Sequence, residues 1–288
     1  MGKRVALATC AALPDLDEDA PELLAALARV GVEGCAAVWD DASVDWTGFA
    51  AVVIRSTWDY VARRDAFVAW ASSLPVPVHN PARLVAWSTE KSYLRELAAA
   101  GVPTVPTLWS PTDVPDDGRA WVVKPVVGAG AEDAAAYRPD QRADAAAHLR
   151  RLADAGKESM AQPFLGRLEE DGETALVHLG GTFSHAVRKN AILTPGGGVF
   201  ERAIVGVWDP REVLTAATAT DAQLDVATRA LAALPHGSAT PLYARVDVVP
   251  LDDGSPAVIE LELVEPSLFL RLGAGSVDRF AEAIAAVA

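Results

Sequence analysis

Cysteine is scarce in this chain of 288 residues, which contains only Cys10 and Cys35. Two thiols can build neither a disulfide framework nor a four-thiolate zinc site, so a reduced, cytoplasmic compartment is the expected location. Long apolar runs are missing too, because no stretch of about 18 residues is free of charge and proline. Neither a membrane span nor a signal peptide is therefore predicted.

Positive charge is in the minority. The chain carries 25 Lys+Arg against 39 Asp+Glu, which gives a formal net charge of −14. So acidic a chain repels phosphate backbones, and a nucleic-acid partner is not expected. A small anionic ligand remains compatible with this charge, because a few lysines and arginines can still converge on one cleft.

Two nucleotide-binding fingerprints are absent as well. No Gly-x-Gly-x-x-Gly follows the first predicted strand, and no Gly-Lys-Ser/Thr completes the loop at 128–130. The first 85 residues instead alternate strands and helices, which is typical of a parallel sheet covered by helices. The predicted strands are 3–9, 35–39, 50–55 and 76–79, and the predicted helices are 19–30 and 63–73.

The pattern changes beyond residue 85. A helix is predicted over 88–100, with Ser88 as its cap and Gly101 just past its end, and a proline-rich connection follows. Near the end of the chain, Asp-Asp-Gly at 252–254 is a strong hairpin signal. The other predicted strands are 104–109, 120–127, 158–162, two within 173–190, 242–251 and 256–264, and the other helices are 139–154, 221–234 and 276–287.

The final predicted hairpin carries the clearest chemical signal. Alternate side chains of a strand share a face, so Arg245 points the same way as Asp247, and Glu260 the same way as Glu262. A turn centred between residues 253 and 254 places Asp247 opposite Glu260. Carboxylates that face each other need a neutralising cation, and Mg²⁺ bound with a nucleotide phosphate suits oxygen ligands best. The alternative is a solvated strand face with Arg245 as the counter-ion.

Two lysines lie where an anion could bind. Lys124 ends a hydrophobic strand, and the small residues at 128–130 follow it, so backbone N–H groups could approach phosphate oxygens. The alternative is a lysine that reaches solvent from the strand end. Lys91 is expected near the start of helix 88–100, where the helix dipole disfavours a cation and a bound anion would relieve the conflict.

An apolar strand end at 162–165 runs into an acidic turn at 169–173. Backbone groups of the first segment could contact a base, and a carboxylate of the turn could bind a ribose. From this stretch alone, a polar loop without a ligand is the favoured interpretation.

Arg55 ends the apolar strand 50–55, at the edge where ligand sites of open α/β sheets lie. An amino-acid-like ligand needs a cation for its carboxylate and an anion for its ammonium group, which Arg55 and Asp59 could supply. Thr57 and Tyr60 lie on the same loop, and simple packing is the alternative for Trp58 and Tyr60.

Taken in chain order, these segments resemble the ATP-grasp superfamily of carboxylate–amine ligases over roughly residues 85–270. The resemblance implies an α/β (α+β) fold with three parts: an N-terminal parallel α/β domain at 1–85, a small lid domain with its connecting helix at 86–165, and a C-terminal antiparallel sheet domain at 166–288. Where many members have Glu-x-Asn at the metal site, this chain has Glu260-x-Glu262.

The resemblance also implies a reaction, in which ATP converts a substrate carboxylate to an acyl phosphate and an amine then attacks. The implied nucleotide contacts are Lys91 and Lys124 on the phosphates, Gly128 and Gly130 in a closing loop, Gln162, Phe164 and Leu165 around adenine, and Glu173 or Glu170 on the ribose. The implied catalytic residues are Arg245, Lys189 and its neighbour Arg188, and Asp247, Glu260 and Glu262 hold one or two Mg²⁺ ions, with Mn²⁺ as an alternative.

Three local stretches, 55–60, 184–189 and 260–267, resemble the branch containing the cyclo-ligase that converts O-ureido-D-serine to D-cycloserine. A small amino-acid-like substrate and a role in antibiotic biosynthesis are therefore expected. A homodimer is compatible with the sequence. A dipeptide-type ligase, a kinase, and an ATP-binding regulatory or scaffold protein are the alternatives. The implied substrate contacts are Arg55, Ser56, Thr57, Asp59, Tyr60, Glu265 and Ser267.

Overall fold

The computed structural model describes residues 3–201, 211–235 and 240–288. These residues form three sheets, and each sheet lies within one of the predicted segments 1–85, 86–165 and 166–288. The segment boundaries stay a prediction, and their parts at 1–2, 202–210 and 236–239 lie outside the described residues. None of the described helices has the length and apolar character needed to cross a membrane.

The first sheet is parallel, as the alternation of strands and helices predicts. Its strand order is β2-β1-β3-β4. The second strand begins at Val32 rather than at residue 35, because Gly34 is a strand residue and not a turn. A Cβ at Gly34 would lie 2.8 Å from side-chain atoms of Leu24 and Leu27, so glycine permits close helix packing. The elements are β1 (Lys3–Thr9), α1 (Ala20–Arg29), β2 (Val32–Val38), β3 (Ala51–Ser56), α2 (Arg64–Ser73) and β4 (Val78–His79).

The prediction of one continuous helix over 88–100 is wrong. The chain forms α3 (Ala82–Ser88) and α4 (Tyr93–Ala99) with a break between them. Ser88 ends the first helix instead of capping the second. In the break, the backbone N–H of Lys91 donates to the carbonyl oxygen of Val126, 3.0 Å away, rather than to a helical carbonyl.

The middle sheet is antiparallel, with the order β5-β8-β6-β7. Helix α5 covers one face of it through Ala145, Leu149 and Leu152. The strand predicted at 104–109 is shorter than expected, because Thr104 forms a bridge with Val258 of the next sheet instead. The elements are β5 (Leu108–Trp109), β6 (Trp121–Pro125), β7 (Ala135–Tyr137), α5 (Arg142–Asp154) and β8 (Ser159–Pro163).

The C-terminal sheet is also antiparallel, with the order β11-β10-β9-β12-β13. Helix α7 packs on one face of it, where Val246, Val248 and Leu261 join the core. The elements are α6 (Leu168–Asp171), β9 (Glu173–Leu179), β10 (Thr182–Lys189), β11 (Leu214–Ala217), α7 (Asp221–Ala232), β12 (Tyr243–Pro250), β13 (Pro256–Glu262) and α8 (Ser276–Val287).

The register of the last hairpin confirms the predicted pairing of Asp247 with Glu260. The turn itself is centred on Asp253, since Pro250 pairs with Pro256. An irregularity between Asp247 and Val248 shifts the register by one residue and restores the predicted pairing at the acidic end.

Candidate active site

A cavity of about 430 Å³ lies between the middle sheet and the C-terminal sheet. Strand β6 contributes Lys124 to its wall, and β8 contributes Gln162. From the opposite sheet, β10, β12 and β13 contribute Lys189, Arg245 and Glu260. The cavity has the size of a small-molecule site, and its charged side chains come mainly from the C-terminal sheet.

Three carboxylates of β12 and β13 form an acidic cluster. One side-chain oxygen each of Asp247, Glu260 and Glu262 lies within 4.8 Å of the other two. Asp247 is fully buried, whereas the side chains of Glu260 and Glu262 are 28% and 24% exposed and line the cavity. Because all three donors are hard oxygens at close spacing, this donor set fits Mg²⁺.

Arg245 lies at the centre of this cluster. Its guanidinium donates to both carboxylate oxygens of Asp247, at 2.9 Å each, and to the carbonyl oxygen of Ser267 at 3.0 Å. It also forms an ion pair with Glu262 and lies over the ring of Phe269. Burial opposes charge on both partners, yet the attraction raises the pKa of Arg245 and holds the pKa of Asp247 below its ordinary value. The pair is therefore ionised in the folded protein.

Lys189 reaches the same cluster from β10. Its amino group lies 2.7 Å from Asp247 and forms a second ion pair with Glu173. Burial disfavours the ammonium form, but Asp247 and Glu173 outweigh it and raise the pKa of Lys189. Burial raises the pKa of Glu173 to about 7 although Lys189 opposes the shift. Glu173 is thus linked through Lys189 to Asp247 of the acidic cluster.

Lys91 occupies the break between α3 and α4 rather than the start of a helix. Its amino group lies 3.0 Å from a carboxylate oxygen of Glu260 and donates to the carbonyl oxygen of Gly128, 2.6 Å away. Burial opposes the charge, but Glu260 raises the pKa of Lys91. Lys91 therefore joins the acidic cluster to the loop that follows β6.

Lys124 is the cavity lysine without an ion pair among the described residues. Burial lowers its pKa to about 8, and the nearby charge of Glu260 offsets this only in part. Its chain neighbours include the loop of Gly128 and Gly130, which also lines the cavity. Gly130 adopts φ +58°, a conformation that favours glycine. A lysine that has no ion pair among the described residues and lies beside a glycine-containing loop is suited to an anionic ligand.

Apolar side chains line another part of the cavity. Phe164 and Leu165 line it at the end of β8, together with Val105 and Ile259. Gln162 also lines it and donates to the hydroxyl of Thr107, 2.9 Å away. The predicted adenine contacts Gln162, Phe164 and Leu165 therefore all line the same cavity as the charged side chains.

Two predicted site residues lie away from the cavity. Arg188 is exposed on β10, on the opposite face from Lys189, and its guanidinium donates to the backbone carbonyl of Glu170. Glu170 is exposed on α6. Strand alternation explains the first case, because adjacent residues of a strand point to opposite faces. The structure thus favours Lys189 over Arg188 and Glu173 over Glu170.

The structure does not place the predicted Arg55–Asp59 clamp in the cavity. Arg55 is 1% exposed, and its guanidinium pairs with Asp17 at 3.1 Å. Asp59 accepts from the indole of Trp39 at 2.8 Å and from Arg63 at 2.7 Å. None of these side chains lines the cavity, because both predicted ligands satisfy protein partners instead.

Two further predicted substrate contacts are also buried away from the cavity. The hydroxyl of Ser56 lies 2.9 Å from that of Thr9. The hydroxyl of Thr57 is buried and has no hydrogen-bond partner in the described part of the chain. Tyr60, Glu265 and Ser267, in contrast, do line the cavity.

Some wall residues carry no recognisable signal in the sequence. The segment 190–193 and Phe200 line the cavity beyond Lys189. The segment 190–193 directly follows β10, whose last residue, Lys189, lines the cavity. This adjacency is the only feature of the sequence that points to 190–193. Trp58 lines the cavity too, and its indole donates to the backbone carbonyl of Glu265 at 2.8 Å.

A parallel domain followed by two antiparallel sheets, with a charged cavity between those two, is the arrangement of the ATP-grasp fold. A solved structure of the ATP-grasp ligase PsnB with a phosphomimetic variant of its minimal precursor, Mg and ADP shares this fold. The TM-score is 0.63 at 17% identity, over 100% of this chain and 99% of that chain. The α/β fold with its parallel and antiparallel sheets is thereby confirmed.

The comparison with closer relatives identifies the family. The model for the N-terminal domain of the D-cycloserine synthetase DcsG matches residues 5–80. The cycloserine biosynthesis protein DcsG of Streptomyces lavendulae is 37% identical over 298 aligned residues, which cover 98% of this chain and 97% of that protein. A crystal structure of D-cycloserine synthetase DcsG has a TM-score of 0.87 at 35% identity, over 98% and 99% of the two chains. The chain belongs to the DcsG family, which confirms the branch resemblance.

Proposed function

We propose that this ligase converts O-ureido-D-serine to D-cycloserine with formation of ADP. The observation that carries the proposal is that four cations, Lys91, Lys124, Lys189 and Arg245, line one cavity beside the acidic cluster of Asp247, Glu260 and Glu262. Membership of the DcsG family supports the substrate, because the relatives are a cycloserine biosynthesis protein and a D-cycloserine synthetase.

ATP would lie with its base against the apolar side chains of the cavity and its phosphates against the charged side chains. Lys91 and Lys124 would bind α- and β-phosphate oxygens, and Lys189 would reach the γ-phosphate. The loop from Gly128 to Gly130 would close over the phosphates and exclude water, which otherwise hydrolyses an acyl phosphate. The adenine would contact Gln162, Phe164 and Leu165, and Glu173 remains the candidate for the ribose.

Asp247, Glu260 and Glu262 would hold one or two Mg²⁺ ions, for which Mn²⁺ is the alternative. When bound, such an ion neutralises phosphate charge and aligns the transferred group. In the structure the three carboxylates are already paired with Arg245, Lys189 and Lys91. The cations therefore keep the acidic cluster together before nucleotide binds.

The first chemical step would join a substrate carboxylate oxygen to the γ-phosphorus and break the bond to the bridging oxygen, which leaves with ADP. In the second step, the ureido nitrogen attached to oxygen attacks the acyl carbon and loses its proton. Phosphate then departs with one original carboxylate oxygen, and the carbamoyl group leaves as carbamate after addition of water. Arg245 would bind the oxyanions of both steps, since its planar fork suits such groups.

Measurement of ADP, free phosphate and D-cycloserine tests this proposal. With O-ureido-D-serine, ATP and Mg²⁺, the three products should form in equal amounts. A kinase would give ADP without free phosphate, a scaffold would give neither, and a dipeptide-type ligase would require a second amino acid. Glu260→Gln should lose the reaction, whereas Glu282→Gln, the same change on an exposed residue of α8, should keep it. Absence of the ring product with wild-type protein would contradict the proposal.

A further inference from the structure

Glu265 is a buried carboxylate in the cavity wall that has no cation of its own. It is 8% exposed, and its carboxyl group interacts with the hydroxyl of Tyr60. Among the described residues it forms no ion pair. Glu173, Glu260 and Glu262, which line the same cavity, are each paired with a lysine or an arginine. Glu265 therefore differs from these neighbours because no lysine or arginine among the described residues pairs with its carboxyl group.

The absence of a paired cation is reflected in the pKa of Glu265. Burial, helped by the charge of Glu262, raises the pKa of Glu265 to about 8. Lys91 opposes this shift, but its amino group is paired with Glu260. A buried carboxylate without a cation is costly, and a cationic ligand in the cavity would offset that cost.

Contacts within the protein hold both Tyr60 and Glu265 in place. The ring of Tyr60 stacks on Phe67, with centroids 4.8 Å apart and an interplanar angle of 21°. The indole of Trp58 fixes the backbone carbonyl of Glu265 at 2.8 Å. The loop after β3 and the segment after β13 thus bring Tyr60 and Glu265 together, and contacts within the protein hold both residues.

The position of Glu265 matches an α-amino acid. Two residues further along the chain, the carbonyl oxygen of Ser267 accepts from the guanidinium of Arg245 at 3.0 Å. The segment 265–267 therefore contributes to the cavity both a carboxyl group without an ion pair and the carbonyl oxygen that holds Arg245, the cation proposed to serve the reacting carboxyl group. An α-amino acid carries an ammonium group one carbon away from its carboxylate, and this pairing of charges is complementary to the wall.

We propose that Glu265, together with Tyr60, binds the α-ammonium group of the substrate and selects α-amino substrates over analogues that lack the amine. This inference rests on the proposed function of the same cavity. It assigns the ammonium site to the segment after β13, in place of Asp59.

Kinetics with two substrates test the proposal. The pair is O-ureido-D-serine and 3-(ureidooxy)propanoate, which lacks only the α-amino group. Wild type should prefer the amino compound in kcat/KM by about 30-fold or more, the expected effect of one desolvated charge pair. Glu265→Gln should bring the two values close to each other, mainly by raising KM for the amino compound, and leave KM for ATP unchanged. The surface variant Glu282→Gln should behave as wild type.

Tyr60→Phe provides a second measurement, because it keeps the ring stacked on Phe67 and removes only the hydroxyl. It should raise KM for the amino compound several-fold and leave the analogue unaffected. An undiminished preference in a folded Glu265→Gln variant, or an unaltered KM in Tyr60→Phe, would overturn the inference. Equal use of both compounds by wild type would overturn it alone, whereas turnover of neither would contradict the proposed function as well.

Discussion

The amino group of Lys91 lies 3.0 Å from a carboxylate oxygen of Glu260, so the break between two helices is tied to the last strand of the C-terminal sheet. The same amino group also holds the carbonyl oxygen of Gly128. A lysine expected to bind phosphate thus has two protein partners, one in the acidic cluster and one in the loop that follows β6. Nucleotide binding would act on all three groups together.

Replacement of Lys91 should therefore weaken nucleotide binding without unfolding the protein. Lys91→Met removes one charge-assisted contact, and we expect the Kd for Mg·ADP to rise by about tenfold or more, as a loss of roughly 1.5–3 kcal/mol implies. Titration calorimetry measures this, with exposed Lys3→Met as the control. Equal affinity of wild type and Lys91→Met would show that Lys91 serves only the folded structure.

Lys124 should give the protein a distinctive pH dependence. Its pKa falls from 10.5 to about 8 on folding because of burial. Between these values the unfolded chain binds a proton that the folded protein has released, so the free energy of unfolding should increase as the pH rises from 8 to 10.5. Urea unfolding of wild type and Lys124→Met over this range isolates the effect, because only wild type has this contribution. A constant difference between the two proteins would contradict the assignment.

Arg245→Lys should separate chemistry from nucleotide binding. A lysine keeps the charge but cannot bind Asp247, Glu262 and the Ser267 carbonyl at once as the guanidinium does. We expect kcat to fall about 10²–10³-fold, the typical loss for one oxyanion donor, with little change in KM for ATP. Rapid-quench measurement of ADP formation distinguishes this from slow product release. A normal single-turnover rate would remove Arg245 from the chemical step.

Arg55 should affect stability rather than substrate binding. Its side chain is 2% exposed, and that of Asp17 is 9% exposed, so breaking the pair leaves a buried charge. Arg55→Met should lower the free energy of unfolding by about 3–5 kcal/mol, and Arg55→Met/Asp17→Leu should recover most of that loss. The double variant should retain the wild-type KM for substrate. A folded double variant with a greatly raised KM would restore Arg55 as a substrate ligand.

Gly172 should be required for the position of Lys189. It adopts φ +69°, and a Cβ there would lie 2.6 Å from the backbone carbonyl oxygen of Lys189. Gly118 has φ +76° but open space around it, so Gly118→Ala carries the backbone strain alone. Gly172→Ala should be less stable than Gly118→Ala and should reduce kcat, whereas Gly118→Ala should not. Thermal unfolding and steady-state kinetics of the pair decide this, and equal behaviour would contradict the role of the close approach.

The parts of the site that the sequence predicts well are local ones. Alternation along a strand and the turn signal at 252–254 predict the pairing of Asp247 with Glu260, although the irregularity between Asp247 and Val248 that the pairing needs has no signal in the sequence. The same alternation argues against using both Arg188 and Lys189, since neighbours on β10 face opposite sides. The ATP-grasp resemblance implies both residues as catalytic, whereas in the structure only Lys189 lines the cavity.

The parts that the sequence predicts poorly depend on distant partners. Arg55 reads as a ligand because its counter-ion, Asp17, lies 38 residues earlier, on a loop whose course has no periodic signal. The break at Lys91 depends on a hydrogen bond to Val126, which directly follows β6 of the middle sheet. Local propensity cannot reveal such tertiary contacts, and both residues are therefore assigned correctly only in the folded chain.

Transfer of oxygen from substrate to phosphate tests the central claim most directly. O-ureido-D-serine labelled with ¹⁸O in both carboxylate oxygens would be incubated with ATP, Mg²⁺ and the enzyme, and the released phosphate analysed by mass spectrometry. Activation as an acyl phosphate predicts one ¹⁸O atom in each phosphate formed, because phosphate departs with a carboxylate oxygen. Ring product accompanied by unlabelled phosphate would contradict carboxylate activation and, with it, the proposed ligase mechanism.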